Sequence, residues 1–256
     1  MLLLLPPSET KRDGGDPDRS LDLADLSWPG FNPARRRTLA ALRSLSRNRA
    51  SMATALGLGS TQLHEIDRNR AIRTSPVMPA IERYTGVLFE ALGADSLSEG
   101  ARGRAARCVV IHSALFGLLG ADDPIPAYRL SHDSRLPGLA LAAHWRAVVS
   151  AELARPPGLV LDLRSDGYAK LGPLAAGVDR WFVRIVAEAP DGSRRALNHF
   201  NKRGKGELVR ALLETDDDLA DTAALMEWAQ ATGVRLRTAS DGVLELTVEE
   251  IAARRG

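Results

Sequence analysis

The chain has 256 residues, enough for one large domain or two modest ones, and either size buries a sizeable core. Its 45% hydrophobic and 26% charged residues are those of an ordinary globular protein, and the formal net charge is only +2. A single cysteine, Cys108, excludes an internal disulfide and any multi-cysteine zinc site, and five histidines without ligand spacing give no expectation of a metal or another cofactor.

The opening "MLLLLPPSETKR" is four leucines, Leu2 to Leu5, cut short by Pro6 and Pro7. A secretory leader needs an apolar stretch of about 7–15 residues behind a cationic start. A membrane span needs about 20. The leucines therefore read as a short buried strand of a cytoplasmic protein with no membrane association. A loop rich in Gly, Pro, Asp and Ser follows, and Asn32-Pro33 opens a helix that runs to about Asn48 with Leu39, Leu42 and Leu45 on one face. "SMATALGLGSTQLHEIDRNR" reads as helix, tight turn, helix. "VMPAIERYTGVLFEALGAD" is helical around a break at Tyr84-Thr85-Gly86, and residues 97–107 form a cationic helix leading into the apolar run "CVVIHSALFGLLG".

After the proline-rich loop "DDPIPAYRLSHDSRLPG" comes the amphipathic helix "LALAAHWRAVVSAELA". "GLVLDLRS" is a buried strand. "RWFVRIVAEA" and "RRALNHFNK" are alternating strands joined at Pro190-Asp191-Gly192. Helices are expected from about Gly206 to Glu214 and from Leu219 to Thr232, then a hairpin of "VRLRTA" and "VLELTV" around Asp241-Gly242. With no repeat and no clear linker, the pattern predicts one mixed α/β (α+β) domain over 1–256, a mixed central sheet with surrounding helices.

Charge is unevenly spread. No acid occurs between Asp25 and Glu65, whereas Arg35, Arg36, Arg37, Arg43, Arg47 and Arg49 contribute +6. Such a stripe suits a polyanion, and equally a solvated helix face. Of 34 cations only Lys11, Lys170, Lys202 and Lys205 are lysine. Lysine is a compact charge whose pKa shifts on burial, a property arginine lacks. All four follow strand-like runs in loop-like segments, which predicts that several converge on one anion-binding cleft.

Two glycine turns are candidate phosphate sites. "LGLGSTQLHEI" has the glycine–hydrophobic–glycine spacing of a helix–hairpin–helix turn, in which Gly57 and Gly59 permit a tight hairpin and Ser60 and Thr61 cap the next helix. Leu63 departs from that device, where a small residue is usual. In "NKRGKGELVRALL", Lys202 and Arg203 end a strand, Gly204 and Gly206 admit close backbone approach, Lys205 lies between them, and Arg210 stands one turn into a helix. Neither a Walker loop nor a Rossmann fingerprint nor a G-x-S-x-G elbow is present. Tyr84, Tyr128 and Tyr168 are the chain's three tyrosines, each beside polar residues where a ring can stack a base or rim a core.

Taken together, "PPSETK", "YTGVLFEAL", "SALFGLLGADDPIPAYRL", the helix with "HW", "LDLRSDGY" and "HFNKRGKGELVR", in this order and nearly end to end, resemble the YaaA family of peroxide-stress proteins. The "SETK" segment departs from the Ser-Pro-Ala-Lys of other members. The resemblance implies a single mixed α/β domain with a positively charged cleft and a helix–hairpin–helix-like element, in a DNA-binding group that protects against hydrogen peroxide damage. It implies a cleft built from Ser8, Lys11, Tyr84, Thr85, Gly86, Tyr128, Arg129, Ser165, Tyr168, Lys202, Lys205, Gly206 and Arg210, with Glu9 and Lys170 beside them, and it brings no catalytic mechanism.

Double-stranded DNA is thus the first expected partner, held through phosphates at Arg36, Arg43 and the two glycine turns. The alternative is an enzyme that acts on a nucleotide, nucleobase or other small anionic ligand in a cleft lined by lysine and tyrosine. A cleft that docks a partner protein is a third. Sequence gives no oligomeric state.

Overall fold

A computed structural model of the chain describes residues 1–155, 158–177, 179–188, 194–196, 201–240 and 242–249. The strands are β1 (Leu2–Leu5), β2 (Met78–Pro79), β3 (Val109–Ser113), β4 (Gly117–Gly120), β5 (Pro124–Ile125), β6 (Val160–Asp162), β7 (Arg180–Glu188), β8 (Arg194–Ala196), β9 (Leu236–Ser240) and β10 (Val243–Glu249). The helices are α1 (Asn32–Leu45), α2 (Arg49–Leu56), α3 (Glu65–Arg70), α4 (Ala80–Arg83), α5 (Val87–Leu92), α6 (Glu99–Cys108), α7 (Leu141–Leu153), α8 (Asp166–Leu171), α9 (Asn201–Glu214) and α10 (Thr222–Thr232).

Among the described residues, eight strands form one mixed sheet in the order β4-β3-β1-β6-β7-β10-β9, with β8 also on β7. β1 lies at the centre, parallel to both β3 and β6. Four leucines in a row suit that place, because a strand between parallel neighbours is buried on both faces and needs no polar alternation. Leu3, Leu4 and Leu5 are fully buried. β7 has nine residues, so its first three pair in parallel with β6 and its last three antiparallel with β8. β10 runs parallel to β7 from Phe182 to Glu188 and lies antiparallel to β9, the expected final hairpin. The apolar run after α6 resolves into β3 and β4, folded on each other between Ser113 and Gly117.

Helices cover the sheet and share its hydrophobic core. α7 buries Leu141, Trp145, Val149 and Leu153 at helical spacing, and the Trp145 indole N–H donates to the Ala114 carbonyl (2.8 Å). No described helix is long and apolar enough to cross a membrane. The expected turn at Pro190-Asp191-Gly192, residues 198–200 and Asp241 lie outside the described residues.

Met78–Pro79, expected to be helical, form strand β2 against β5, and a second expectation fails at a candidate anion site. Lys202 and Arg203 do not end a strand, because helix α9 begins at Asn201, five residues before the expected start at Gly206. Helical glycine costs about 0.5–1 kcal/mol relative to alanine, so Gly204 and Gly206 argue locally for a turn. Packing overrides that preference. A Cβ on Gly206 would lie 2.2 Å from the Leu88 carbonyl oxygen and 2.8 Å from the Ala91 Cβ, so α9 approaches α5 more closely than any side chain permits.

Candidate functional site

Helix α1 carries Pro33 in its first turn, where the missing N–H would be unpaired anyway. Its inner face carries Arg35, Thr38, Leu39, Leu42 and Leu45. Arg35 therefore leaves the arginine stripe. Its guanidinium is wholly buried and donates to the carbonyls of Phe116, Leu118 and Ser27 (2.8 Å each), and burial lowers its pKa to about 10. Arg36, Arg37, Arg43 and Arg47 remain exposed and form no ion pair among the described residues. Arg36 and Arg43 stand seven residues apart, two turns along the same face. Arg49, by contrast, is shared with Asp67 at 3.6 Å.

Helix α2 ends on Gly57, whose left-handed conformation (φ 62°) favours glycine. A short 3₁₀ turn, Ser60–Gln62, leads on to α3. The cap differs from expectation: Gln62 Oε1 accepts from the Gly59 N–H (3.1 Å), and Ser60 and Thr61 lie in or beside the turn rather than capping it. The Gly59 amide is therefore occupied. The exposed Ser60 and Thr61 amides have no acceptor among the described residues.

A second cluster forms where the loop after β1 meets the loop before α5. Lys11 bridges to Tyr84, and the Thr85 N–H donates to the Thr10 carbonyl (3.2 Å). Gly86 abuts Ser8, whose Oγ lies 3.0 Å from where a Cβ would stand. Lys11 is only 6% exposed. Its Nζ donates to the Ser8 carbonyl (2.9 Å) and the Glu9 carbonyl (3.2 Å), 4.2 Å from the Tyr128 ring centroid and 5.3 Å from that of Tyr84. Burial pulls its pKa down to about 7, against the opposing pull of Glu65.

The tyrosines are not open stacking surfaces, as base recognition would require. Tyr84 and Tyr128 are each 1% exposed, and their hydroxyls meet at 2.7 Å. Tyr128 also meets Ser113 Oγ at 2.7 Å. Ser113 Oγ already accepts the N–H groups of Leu115 and Phe116, which leaves its own proton for Tyr128 and that of Tyr128 for Tyr84. Burial raises all three tyrosine pKa values, that of Tyr128 to about 12. Tyr168, on α8, packs edge-on against the rings of His132 (5.0 Å) and His112 (6.1 Å).

Charged groups surround the Lys11 amine. Arg129 pairs with Glu9, and its backbone is fixed by Asn69, which both donates to and accepts from residue 129 at 2.8 Å. Oε1 of the buried Glu65 on α3 accepts from Arg68 (2.9 Å), and its Oε2 has no hydrogen-bond partner among the described residues. Ser8, Glu9, Lys11, Tyr84, Thr85, Gly86, Tyr128 and Arg129 are thus brought together. Sequence reasoning missed Glu65 and Asn69 of this cluster. The available signal was that Glu65 is the first acid after the acid-free stretch, just beyond the glycine turn.

The α9 residues are committed elsewhere. Lys205 is buried, donating to the carbonyls of Leu163 (2.9 Å) and Arg164 (3.3 Å) with Nζ 5.2 Å from the Phe182 ring, and burial lowers its pKa to about 8. Arg210 donates to the carbonyls of Leu92, Gly93 and Ser96 and so closes the end of α5. Lys202 and Arg203 are exposed, Arg203 paired with Glu207 at 2.7 Å. Ser165, at the start of α8, is exposed, and Lys170 lines a hollow of about 560 Å³ with Asp162, Asp166, Phe182 and Arg184. The four lysines thus fall in different surroundings: Lys11 and Lys205 lie beyond the carboxyl ends of neighbouring strands β1 and β6, each with its own partners, and Lys170 and Lys202 face solvent. Arg164, unremarked in the sequence, is fully buried, bidentate to Asp162 (2.8 and 2.6 Å) and donating to His112 Nδ1 (2.9 Å).

Against known proteins, residues 1–237 match the family described as peroxide stress protein YaaA. A UPF0246 protein of Corynebacterium glutamicum is 42% identical over 239 residues, covering 91% of this chain and 94% of the relative. One from Streptomyces coelicolor is 42% identical over 235 residues, with 89% and 88% covered. One from Lactobacillus delbrueckii subsp. bulgaricus is 31% identical over 162 residues, 62% of this chain. The chain belongs to the YaaA family of peroxide-stress proteins.

Proposed function

We propose that this chain serves the peroxide-stress response by binding duplex DNA, with α1 and the turn after α2 against the phosphate backbone. The observation that carries this reading is the pair Arg36 and Arg43, exposed, without an ion pair among the described residues, and two turns apart on one face of a helix in an acid-free stretch. The open amides of Ser60 and Thr61 supply neutral donors at the end of the same stretch, where a phosphate oxygen is a suitable acceptor. The contacts are to phosphates and read no bases, so the binding is indifferent to sequence.

The test is fluorescence anisotropy of a labelled duplex at two salt concentrations. Each phosphate contact contributes about −0.9 to the slope of log affinity against log salt. Arg36→Glu/Arg43→Glu is expected to lower affinity at least tenfold and to flatten the slope by about 2. Lys202→Ala is expected to change neither. Equal affinity of the double variant and the wild type would refute the assignment of the surface. No binding by the wild type would refute the function.

A further inference from the structure

Plain phosphate binding has no use for a buried amine, a chain of buried hydroxyls or a buried carboxylate with one oxygen left over from its ion pair. We propose, resting on the DNA reading above, that Lys11 is a catalytic residue whose Nζ forms an imine with the ring-opened deoxyribose aldehyde of an abasic position in DNA, with Glu65 as its proton relay.

Three features lead there. The first is the assembly around the nitrogen: Lys11 is held by its own loop carbonyls between the rings of Tyr84 and Tyr128, at the carboxyl end of a central parallel strand, where open α/β sheets place ligands. The second is Glu65 Oε2, a buried carboxylate oxygen with no hydrogen-bond partner among the described residues, on the acid that acts most strongly on the Lys11 charge. The third is continuity. Glu65 and Arg68 sit on α3, which follows the Gly57–Gly59 turn after one short 3₁₀ turn and packs against α1 and α2, the elements of the proposed duplex surface. The charged groups facing Lys11 are Glu9 from its own loop, Glu65 and Arg68 from α3, and Arg129 from the loop after β5. Burial among them holds the pKa near 7, so much of the lysine is the neutral nucleophile at physiological pH.

The chemistry balances with one proton from solvent. The Nζ lone pair attacks the aldehyde carbon, the carbonyl oxygen takes a proton from solvent, and Glu65 accepts the proton that nitrogen loses. The carbinolamine then expels its hydroxyl as water on receiving that proton back from Glu65, leaving a protonated imine. Amine, aldehyde and one solvent proton give protonated imine and water. A sugar without its base is unstacked and unpaired, so it leaves the helix at low cost and is small enough for an enclosed amine. One of the two carbonyls that hold the nitrogen belongs to Glu9, an exposed residue.

The test is reductive trapping on the full chain. Protein is mixed with a duplex bearing one abasic site and with sodium cyanoborohydride, which reduces an imine to a stable amine, and the adduct is mapped by peptide mass spectrometry. The expected result is a covalent protein–DNA adduct on Lys11, lost at least tenfold in Lys11→Arg and slowed about tenfold or more in Glu65→Gln. Parallel arms use the intact duplex and free 2-deoxyribose 5-phosphate. No adduct in the wild type, or an adduct mapped to Lys202 or Lys205, overturns the proposal. Because mapping is done on the wild type, an unfolded variant does not rescue it. Anisotropy separates the two readings: intact-duplex binding without an adduct refutes the imine and leaves DNA binding standing. Labelling of Lys11 by the free sugar phosphate alone overturns DNA as the source of the aldehyde.

Discussion

Replacing Lys11 by methionine isolates the energetic consequence of enclosing an amine. The lysine pKa falls from 10.5 to about 7 on folding, so below pH 7 the folded state carries a charge that burial disfavours. The unfolded chain keeps its proton up to pH 10.5, whereas the folded chain gives it up near 7, so wild-type stability rises with pH across that window. At about 1.4 kcal/mol per pKa unit, the charge costs about 5 kcal/mol at pH 6 and about 2 kcal/mol at pH 9. Methionine has no such cost, but it forfeits two hydrogen bonds to the Ser8 and Glu9 carbonyls, about 1 kcal/mol each. The offset between variant and wild type mixes both effects, and the slope does not. Urea unfolding at pH 6, 7, 8 and 9 is expected to show the difference, variant minus wild type, falling by about 3 kcal/mol from pH 6 to pH 9. Parallel stability curves would refute the reasoning, because a lysine with an ordinary pKa titrates outside that range.

Other substitutions probe the packing around the site. Gly206→Ala drives a Cβ into the Leu88 carbonyl and is expected to cost at least about 2 kcal/mol, read as a Tm lowered by several degrees. Gly100→Ala, within α6 and facing open space, is the control, expected to be neutral or to gain about 0.5 kcal/mol. Arg164→Met strands the buried Asp162 carboxylate and is expected to lower the unfolding free energy by about 3–5 kcal/mol in urea titrations. Tyr128→Phe removes the middle of the hydroxyl chain, leaving Ser113 and Tyr84 without their shared partner. Thermal melts should rank it more damaging than Tyr84→Phe, by about 1 kcal/mol.

Much of this was legible where local signals and tertiary context agree. The four leucines of β1, the apolar spacing of α1 and α7, and the final hairpin follow from periodicity alone. Arg35 was misjudged because three adjacent arginines look alike by charge. Their helical phase distinguishes them: Arg35 shares its face with Thr38, Leu39 and Leu42, and Arg36 does not. The early start of α9 was hidden by glycines whose role depends on α5, more than a hundred residues earlier. The tyrosines come from three separated segments, so their convergence, and with it the enclosure of Lys11, depends on topology that no local window contains. Arg164 belongs with them, since its partners at Asp162 and His112 meet only when β3 and β6 flank β1.

The duplex surface is tested most directly by chemical footprinting of arginines. Phenylglyoxal modification, followed by peptide mass spectrometry, is measured with and without a 20-base-pair duplex. Binding along α1 predicts that Arg36 and Arg43 lose reactivity at least fivefold, while the exposed Arg107 and Arg203 react as before. Protection of Arg203 with Arg36 and Arg43 unchanged, or no protection at any arginine, would contradict it.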